Sequence, residues 1–162
     1  MSNIGDYQAL VAALSVSFTD QQGVTRVITA KDATALKRSV QASATPIRLL
    51  LPYSDRDEMS AEMSEAGIGN DAQVRWFFTD QLLWRPEAHG EGLGDAAYDL
   101  REYASAYLTA ALGLDASGIT DRMNFESVRC AVRDSINFPR GSDTGWYIGV
   151  DAVWTVLEDD PL

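Results

Sequence analysis

The last part of the chain alternates apolar and mixed residues with the period of a β-strand. In GWYIGVDAVWTVLEDDPL, residues 145–162, apolar side chains occupy every second position from Trp146 to Val156. Side chains of a strand point alternately to its two faces, so this segment predicts a long strand with one wholly apolar side. An apolar side of this length must pack on another element of the fold.

Two other segments predict amphipathic helices. The first, DYQALVAALSVSF, places apolar side chains at helical spacing from Tyr7 to Phe18. The second, DAAYDLREYASAYLTAALGL, has Asp95 as a natural N-cap and a glycine where helices commonly end. We expect both helices to cover the apolar side of the last strand, with Trp146 and Trp154 beneath the second helix.

Further periodic segments predict strands joined by polar connections. They are VTRVITA, TPIRLLLPYS, QVRWFFTDQLLWRP, which Pro86 ends, and FESVRCAVRDSINF, whose alternate residues from Val128 to Ile136 share one face. KDATALKRSVQAS predicts a short helix or a helical loop. Short polar connections favour antiparallel pairing. The order predicts one α+β domain over residues 1–162, with a mostly antiparallel sheet of about four to five strands packed against two main helices.

The chain is acidic, with 13 Lys and Arg against 24 Asp and Glu and a formal net charge of −11. General binding of nucleic acid needs a positive surface, so this balance argues against it. Residues 54–72 predict a flexible acidic loop, and residues 158–162 predict a short acidic tail. No apolar run approaches the ~20 residues that a membrane helix needs, so no membrane association is expected.

No motif predicts catalysis, a metal site or a cofactor site. One cysteine, Cys130, and one histidine, His89, cannot supply the four ligands of a structural zinc site. Cys130 lies on the apolar face of its strand, as a buried structural thiol does. The glycines of HGEGLGD follow neither the Walker order nor the dinucleotide-binding order. The acidic pairs lack the ligand order of a calcium loop and predict a solvated surface; they are Asp57 with Glu58 and Glu62 with Glu65.

Asp80 and Asp134 each interrupt the apolar alternation of a strand. Two inward carboxylates could be catalytic, with His89 as the single available imidazole base. They could equally pair with arginine on a neighbouring strand, or mark a bulge or a strand end. The structural or interface role is favoured.

Four arginines predict an interaction surface. Arg75, Arg85, Arg129 and Arg133 lie on the more polar faces of their strands. Arginine and aromatic residues are enriched at protein interfaces, so we expect a sheet with one face under helices and the other used for assembly. Balancing of local acids is the alternative role. The acidic loop, and the tail with Asp159 and Asp160, are expected to be docking elements that order on a partner.

The order of these segments resembles that of the tail terminator proteins of long-tailed bacteriophages. The N-terminal helix, the aromatic strand VRWFFTDQLLW, one prominent helix and two long closing strands carry the resemblance, which is one of architecture and size. It implies a homo-hexameric ring in the virion neck that caps the tail tube and meets the head-side connector, after assembly in the host cytoplasm. An acidic lumen would let DNA pass without specific binding, because Asp and Glu repel phosphate.

Three other functions remain open on the sequence. A head-closure or head–tail joining protein would share the lack of catalytic motifs and differ in its docking partner. A small soluble enzyme or ligand-binding domain would use His89, Asp80 or Asp134. An acidic regulatory protein that mimics nucleic acid would form a salt-sensitive complex with a basic partner.

Overall fold

The structure, a computed structural model, describes residues 4–31, 45–51, 58–64, 67–87, 93–119, 123–140 and 143–159. The described elements are α1 (Ile4–Ala12), β1 (Ser15–Thr19), β2 (Thr25–Lys31), β3 (Ile47–Leu51), β4 (Glu58–Ser64), β5 (Gly67–Pro86), α2 (Leu93–Leu112), β6 (Met123–Arg140) and β7 (Asp143–Asp159). The segment predicted as a short helix or helical loop, residues 31–43, lies outside the described residues from residue 32 onwards.

Six strands form one sheet in the order β1-β2-β3-β5-β7-β6, and β4 pairs with β5 off this path. The β2–β3 pair is parallel, and the other pairs among the described strands are antiparallel. The α+β class is confirmed, but the sheet is mixed and has more strands than the four to five predicted. The additional strands are β1 and β4, which arise from segments that the sequence assigned to a helix and to a loop.

The first helix is shorter than its apolar pattern. α1 ends at Ala12, and β1 follows with Val16 and Phe18 buried between exposed neighbours. The turn after β1 explains the change, because Asp20 accepts the backbone N–H groups of residues 22 and 24, and Gly23 takes a φ of 79°. This turn pairs β1 with β2, and strand pairing replaces the last helical turn.

The acidic segment contains a β-hairpin. β4 pairs antiparallel with the first part of β5, with Ser64 opposite Gly67 and Glu58 opposite Arg75. The flexible loop predicted over residues 54–72 is wrong for the described part of this segment, which forms strands. Pairing with the long strand β5 gives the backbone N–H and C=O groups of β4 their hydrogen-bond partners. The acidic composition of the segment did not indicate this pairing.

Both helices pack on one face of the sheet, which we call the helix face. Its core combines even-numbered residues of β5 and β7 with residues of α2; among them are Phe78, Leu82, Val150, Trp154, Leu100 and Tyr107. The sheet curls around α2, which contacts both edge strands, β1 and β6. Burial of this apolar surface is the main favourable contribution to folding.

The two tryptophans of the last strand have different surroundings. Trp154 is 2% exposed and stacks on Phe78 at 6.1 Å, beneath α2 as predicted. Trp146 is 49% exposed, so its predicted place beneath α2 is wrong. A strand of 17 residues spans about 56 Å, whereas a helix of 20 residues spans about 30 Å. The helix is too short to cover both ends of β7.

Two bulges flank Gly149 of β7, one in β5 between Leu83 and Arg85 and one in β6 between Arg133 and Ile136. Each bulge adds a residue and reverses the alternation beyond it. Ile136 therefore leaves the face that it was predicted to share with Val128, Cys130 and Val132. On the opposite face of the sheet, which we call the far face, it joins a second buried cluster with Ile47, Leu49, Leu83 and Tyr147.

Candidate functional site

The helix face holds a buried ion pair. Arg48 of β3 and Asp80 of β5 lie on neighbouring strands, and both side chains are completely shielded from solvent. The Nε atom of Arg48 lies 2.9 Å from Oδ1 and 2.8 Å from Oδ2 of Asp80, and its Nη2 atom lies 2.6 Å from Oδ2. The guanidinium thus presents one edge, formed by Nε and Nη2, to the carboxylate.

The other hydrogen bonds of Arg48 go to carbonyl oxygens at and just after the C-terminal end of α1. Nη2 donates to the carbonyl oxygen of Val11 at 2.7 Å, and Nη1 donates to that of Leu14. The last carbonyls of a helix lack partners inside it and carry partial negative charge, so a cation is favourable there. Burial opposes the charge of Arg48, but its hydrogen bonds to Asp80 and the charge of that carboxylate outweigh burial and raise the pKa of Arg48.

Two aromatic side chains complete the network around Asp80. Tyr107 of α2 donates its hydroxyl to Oδ2 at 2.6 Å and accepts a hydrogen bond from Nε1 of Trp154 at 2.8 Å. Burial, together with the nearby carboxylate, raises the pKa of Tyr107, so the phenol keeps its proton. Burial also raises the pKa of Asp80, and the donors Arg48 and Tyr107 oppose that rise. The described partners of Asp80 are all donors, which stabilises the carboxylate form.

Asp80 is therefore paired with an arginine of a neighbouring strand, which is one of the roles predicted for it. Asp134 is exposed on β6. Asp80 lies opposite Ala152, which lies opposite Cys130, and Asp134 is four residues further along β6. The structure does not bring the two aspartates together as a catalytic pair, and His89 lies outside the described residues.

Three of the four predicted arginines meet on the far face. Arg75, Arg129 and Arg133 line a groove of about 490 Å³ that crosses β5, β7 and β6. We call it the arginine groove; its other lining residues are Phe77, Glu126, Ser127, Ala131, Val153 and Thr155. Since the helices pack on the opposite face, neither described helix covers this groove.

Two arginines of the groove form ion pairs whose side chains are at least partly exposed to solvent. Arg75 lies 3.1 Å from Glu126, and Arg133 lies 3.2 Å from Asp151. Arg129 is exposed and makes no ion pair with a described residue. Exposed pairs contribute about 0–1 kcal/mol each, so carboxylates of a partner can replace them at small cost.

Arg85 does not join this groove. The bulge in β5 places Arg85 opposite Ile148, whose side chain belongs to the helix-face core. Trp84 and Arg85 therefore both line a cavity on the helix side, next to the β1–β2 turn. The prediction that Arg85 lies on the more polar face of its strand, with the other three arginines, is wrong for this reason.

The acidic docking residues are described only in part. Glu58 and Glu62 lie in β4, and Asp159 ends β7. Glu158, the first acid of the predicted tail, is buried and accepts a hydrogen bond from Nε1 of Trp76 at 2.7 Å. Glu158 thus links β7 to β5 and, unlike the docking tail that the sequence predicted, is ordered within the chain itself. Outside the described residues lie Asp57, Glu65 and Asp160.

Cys130 is half-buried against the helix-face core, where burial and the charge of Asp80 raise the pKa of its thiol to about 11. At pH 8 its thiolate fraction is then roughly 200-fold below that of an ordinary cysteine. We expect the native protein to react with iodoacetamide at least about 100-fold more slowly than the same protein unfolded in urea. Native and unfolded rates within about tenfold of each other would contradict this assignment.

Comparison with protein-family models, with curated proteins and with solved structures finds no match to this chain. Among the described residues, no three His, Cys, Asp or Glu side chains gather as ligands for a metal ion. Neither helix of the described chain is long and apolar enough to cross a membrane. The arginine groove brings together three of the four arginines that the sequence predicted as interface residues.

Proposed function

We propose that this chain is a structural assembly protein, a tail terminator of a long-tailed bacteriophage, whose copies join into a ring through the arginine groove. The observation that carries the proposal is the composition of the far face at the arginine groove. This face presents three arginines around the half-buried Phe77 and Val153, and neither described helix covers it. An apolar centre surrounded by arginine is the usual composition of a protein interface.

Charge complementarity favours a second copy of the chain as the occupant of the groove. The chain has 24 acidic and 13 basic residues, so most of the surface that a neighbouring copy offers is acidic. A groove with three arginines is a basic exception on that surface. Head-to-tail contacts between unlike surfaces close into rings when the rotation between neighbours allows it.

The order of elements supports the tail terminator in particular. An N-terminal helix, the aromatic strand β5, the prominent helix α2 and the long closing strands β6 and β7 follow one another as the resemblance implies. The net charge of −11 suits a ring through which DNA passes without binding. The ring would cap the tail tube and meet the head-side connector.

Reversing the charge of the groove is expected to prevent assembly. In Arg129→Glu, like charges meet across the proposed interface, so we expect self-association to weaken by at least about tenfold. Light scattering and native mass measurement over a range of protein concentrations would follow the ring, and electron microscopy with purified tail tubes would follow capping. Arg101→Glu, on the exposed side of α2, makes the same change of charge away from the groove and should assemble as the unmodified chain does.

The same measurements can contradict the proposal. An unmodified chain that stays monomeric at every concentration and ignores tail tubes would exclude the terminator function. A chain that forms rings but binds a portal or an adaptor in place of tubes would indicate head closure. Equal association of Arg129→Glu and the unmodified chain would place the interface elsewhere.

A further inference from the structure

A cavity of about 550 Å³ lies between the β1–β2 turn, the bulged end of β5 and α2. Its charged lining residues are two arginines, Arg26 and Arg85, and two aspartates, Asp20 and Asp99. Sites for small molecules have volumes of roughly 300–1,000 Å³. The cavity is therefore large enough for a small ligand or for a side chain of another protein, and it lies on the side of the sheet opposite the arginine groove.

Three of these four charged residues already have partners. Asp20 lies 2.7 Å from Nε of Arg26 and also accepts two backbone N–H groups of its own turn. Asp99 accepts the backbone N–H of Gln21 at 2.7 Å. Arg85 is the exception, because its Nε and Nη2 atoms are buried and have no hydrogen-bond partner among the described residues. Leaving buried donors unsatisfied is costly, and more so when the group is charged.

Arg48 shows which ligand suits these two donors. Its Nε and Nη2 atoms form the edge that holds the carboxylate of Asp80. The same two atoms of Arg85 are the ones without a partner. In a guanidinium these atoms donate in parallel, with the spacing of the two carboxylate oxygens.

We propose that Arg85 anchors a binding site for a carboxylate, supplied by a small organic acid or by an acidic side chain of a second copy of this chain. The bulge in β5 builds the site, because it turns Arg85 from the far face to the cavity. Rotation of the long Arg85 side chain brings its unpartnered edge to the ligand. Asp20 and Asp99 disfavour the two charges that phosphate holds on one group more strongly than the single charge of one carboxylate group.

The test follows the arginine Nε–H resonances of the ¹⁵N-labelled full chain by NMR. Sodium acetate, sodium succinate and sodium phosphate are titrated separately at constant ionic strength, with chloride as the balancing anion. The Arg85 resonance is the one missing from Arg85→Lys. We expect it to shift saturably with acetate or succinate and less with phosphate, and the thermal midpoint of unfolding to rise with the same acids. Arg101→Lys, altered on the exposed side of α2, should respond as the unmodified chain does.

Each outcome decides the proposal. A response to acetate or succinate identifies a small acid as the source. A resonance that ignores these acids but moves with protein concentration, together with a rise in mass, identifies a second copy. No movement in either experiment, or a stronger response to phosphate, overturns the proposal. It is also overturned if Asp99→Asn, without any added acid, shifts the Arg85 resonance as far as the acids shift it in the unmodified chain. Asp99 would then be the partner of Arg85. If Arg85→Lys does not fold, the resonance is assigned through the backbone of the unmodified chain.

Discussion

Replacing Asp80 by asparagine is expected to lower the free energy of unfolding by about 3–5 kcal/mol. The change keeps the shape of the side chain but removes the charge that balances the completely buried Arg48. The new amide group also directs donor hydrogens at Arg48 and Tyr107, which are themselves donors to this position. Urea unfolding, followed by circular dichroism and tryptophan fluorescence, would measure the loss.

Two further variants separate the buried pair from a general effect of charge. Asp134→Asn makes the same chemical change on the exposed side of β6 and should alter stability by no more than about 0.5 kcal/mol. Arg48→Met with Asp80→Leu removes both charges and should recover much of the loss, because neither ion then has to be desolvated. A loss below about 1 kcal/mol for Asp80→Asn would mean that the network contributes little to the fold.

The elements that the sequence predicted well are those whose period persists over many residues. β7 alternates over most of its 17 residues, and α2 keeps one apolar side through 20 residues. Over such lengths a strand pattern and a helix pattern cannot be confused. Over the few residues from Leu14 to Phe18 the two patterns agree, so the sequence extended α1 into what the structure forms as β1.

Prediction of the buried network around Arg48 and Asp80 requires information that is not local in the sequence. Asp80 was recognised because it interrupts an alternating strand, and pairing with arginine was one of its predicted roles. Arg48 is a similar interruption within TPIRLLLPYS, but linking the two requires the knowledge that β3 and β5 are neighbours. One charged residue in each of two apolar strands is the signal that could have suggested the pair.

The bulges determine which of the predicted arginines lie on the face of the sheet that alternation predicts. Arg75, Arg129 and Arg133 precede the two bulges that flank Gly149, so simple alternation placed them correctly on one face. Arg85 and Ile136 come after a bulge, and each lies on the face opposite to the one that alternation predicts. A single inserted residue leaves no clear mark on an apolar pattern, yet it reverses every later side chain of the strand.

Gly149→Ala is expected to destabilise the protein by about 3 kcal/mol or more. Gly149 lies between the two bulges, where β5 and β7 approach so closely that a Cβ atom would lie 1.8 Å from the carbonyl oxygen of Leu82. It would also lie 3.0 Å from the Cδ1 atom of Ile136. The first of these atoms belongs to the backbone of a central strand, which cannot move aside as a side chain can. The β5–β7 ladder would have to open at this row.

Gly5→Ala is the matched control for this change. Gly5 is exposed in α1, and a Cβ atom there meets nothing within 4 Å. Alanine favours the middle of a helix over glycine by about 0.5–1 kcal/mol, so near the start of α1 this variant should gain at most that amount, opposite in sign to Gly149→Ala. Urea midpoints and slopes of both variants would be compared with those of the unmodified chain. If Gly149→Ala costs less than about 1 kcal/mol, the two bulges do not require glycine, and the sheet bends at this row for another reason.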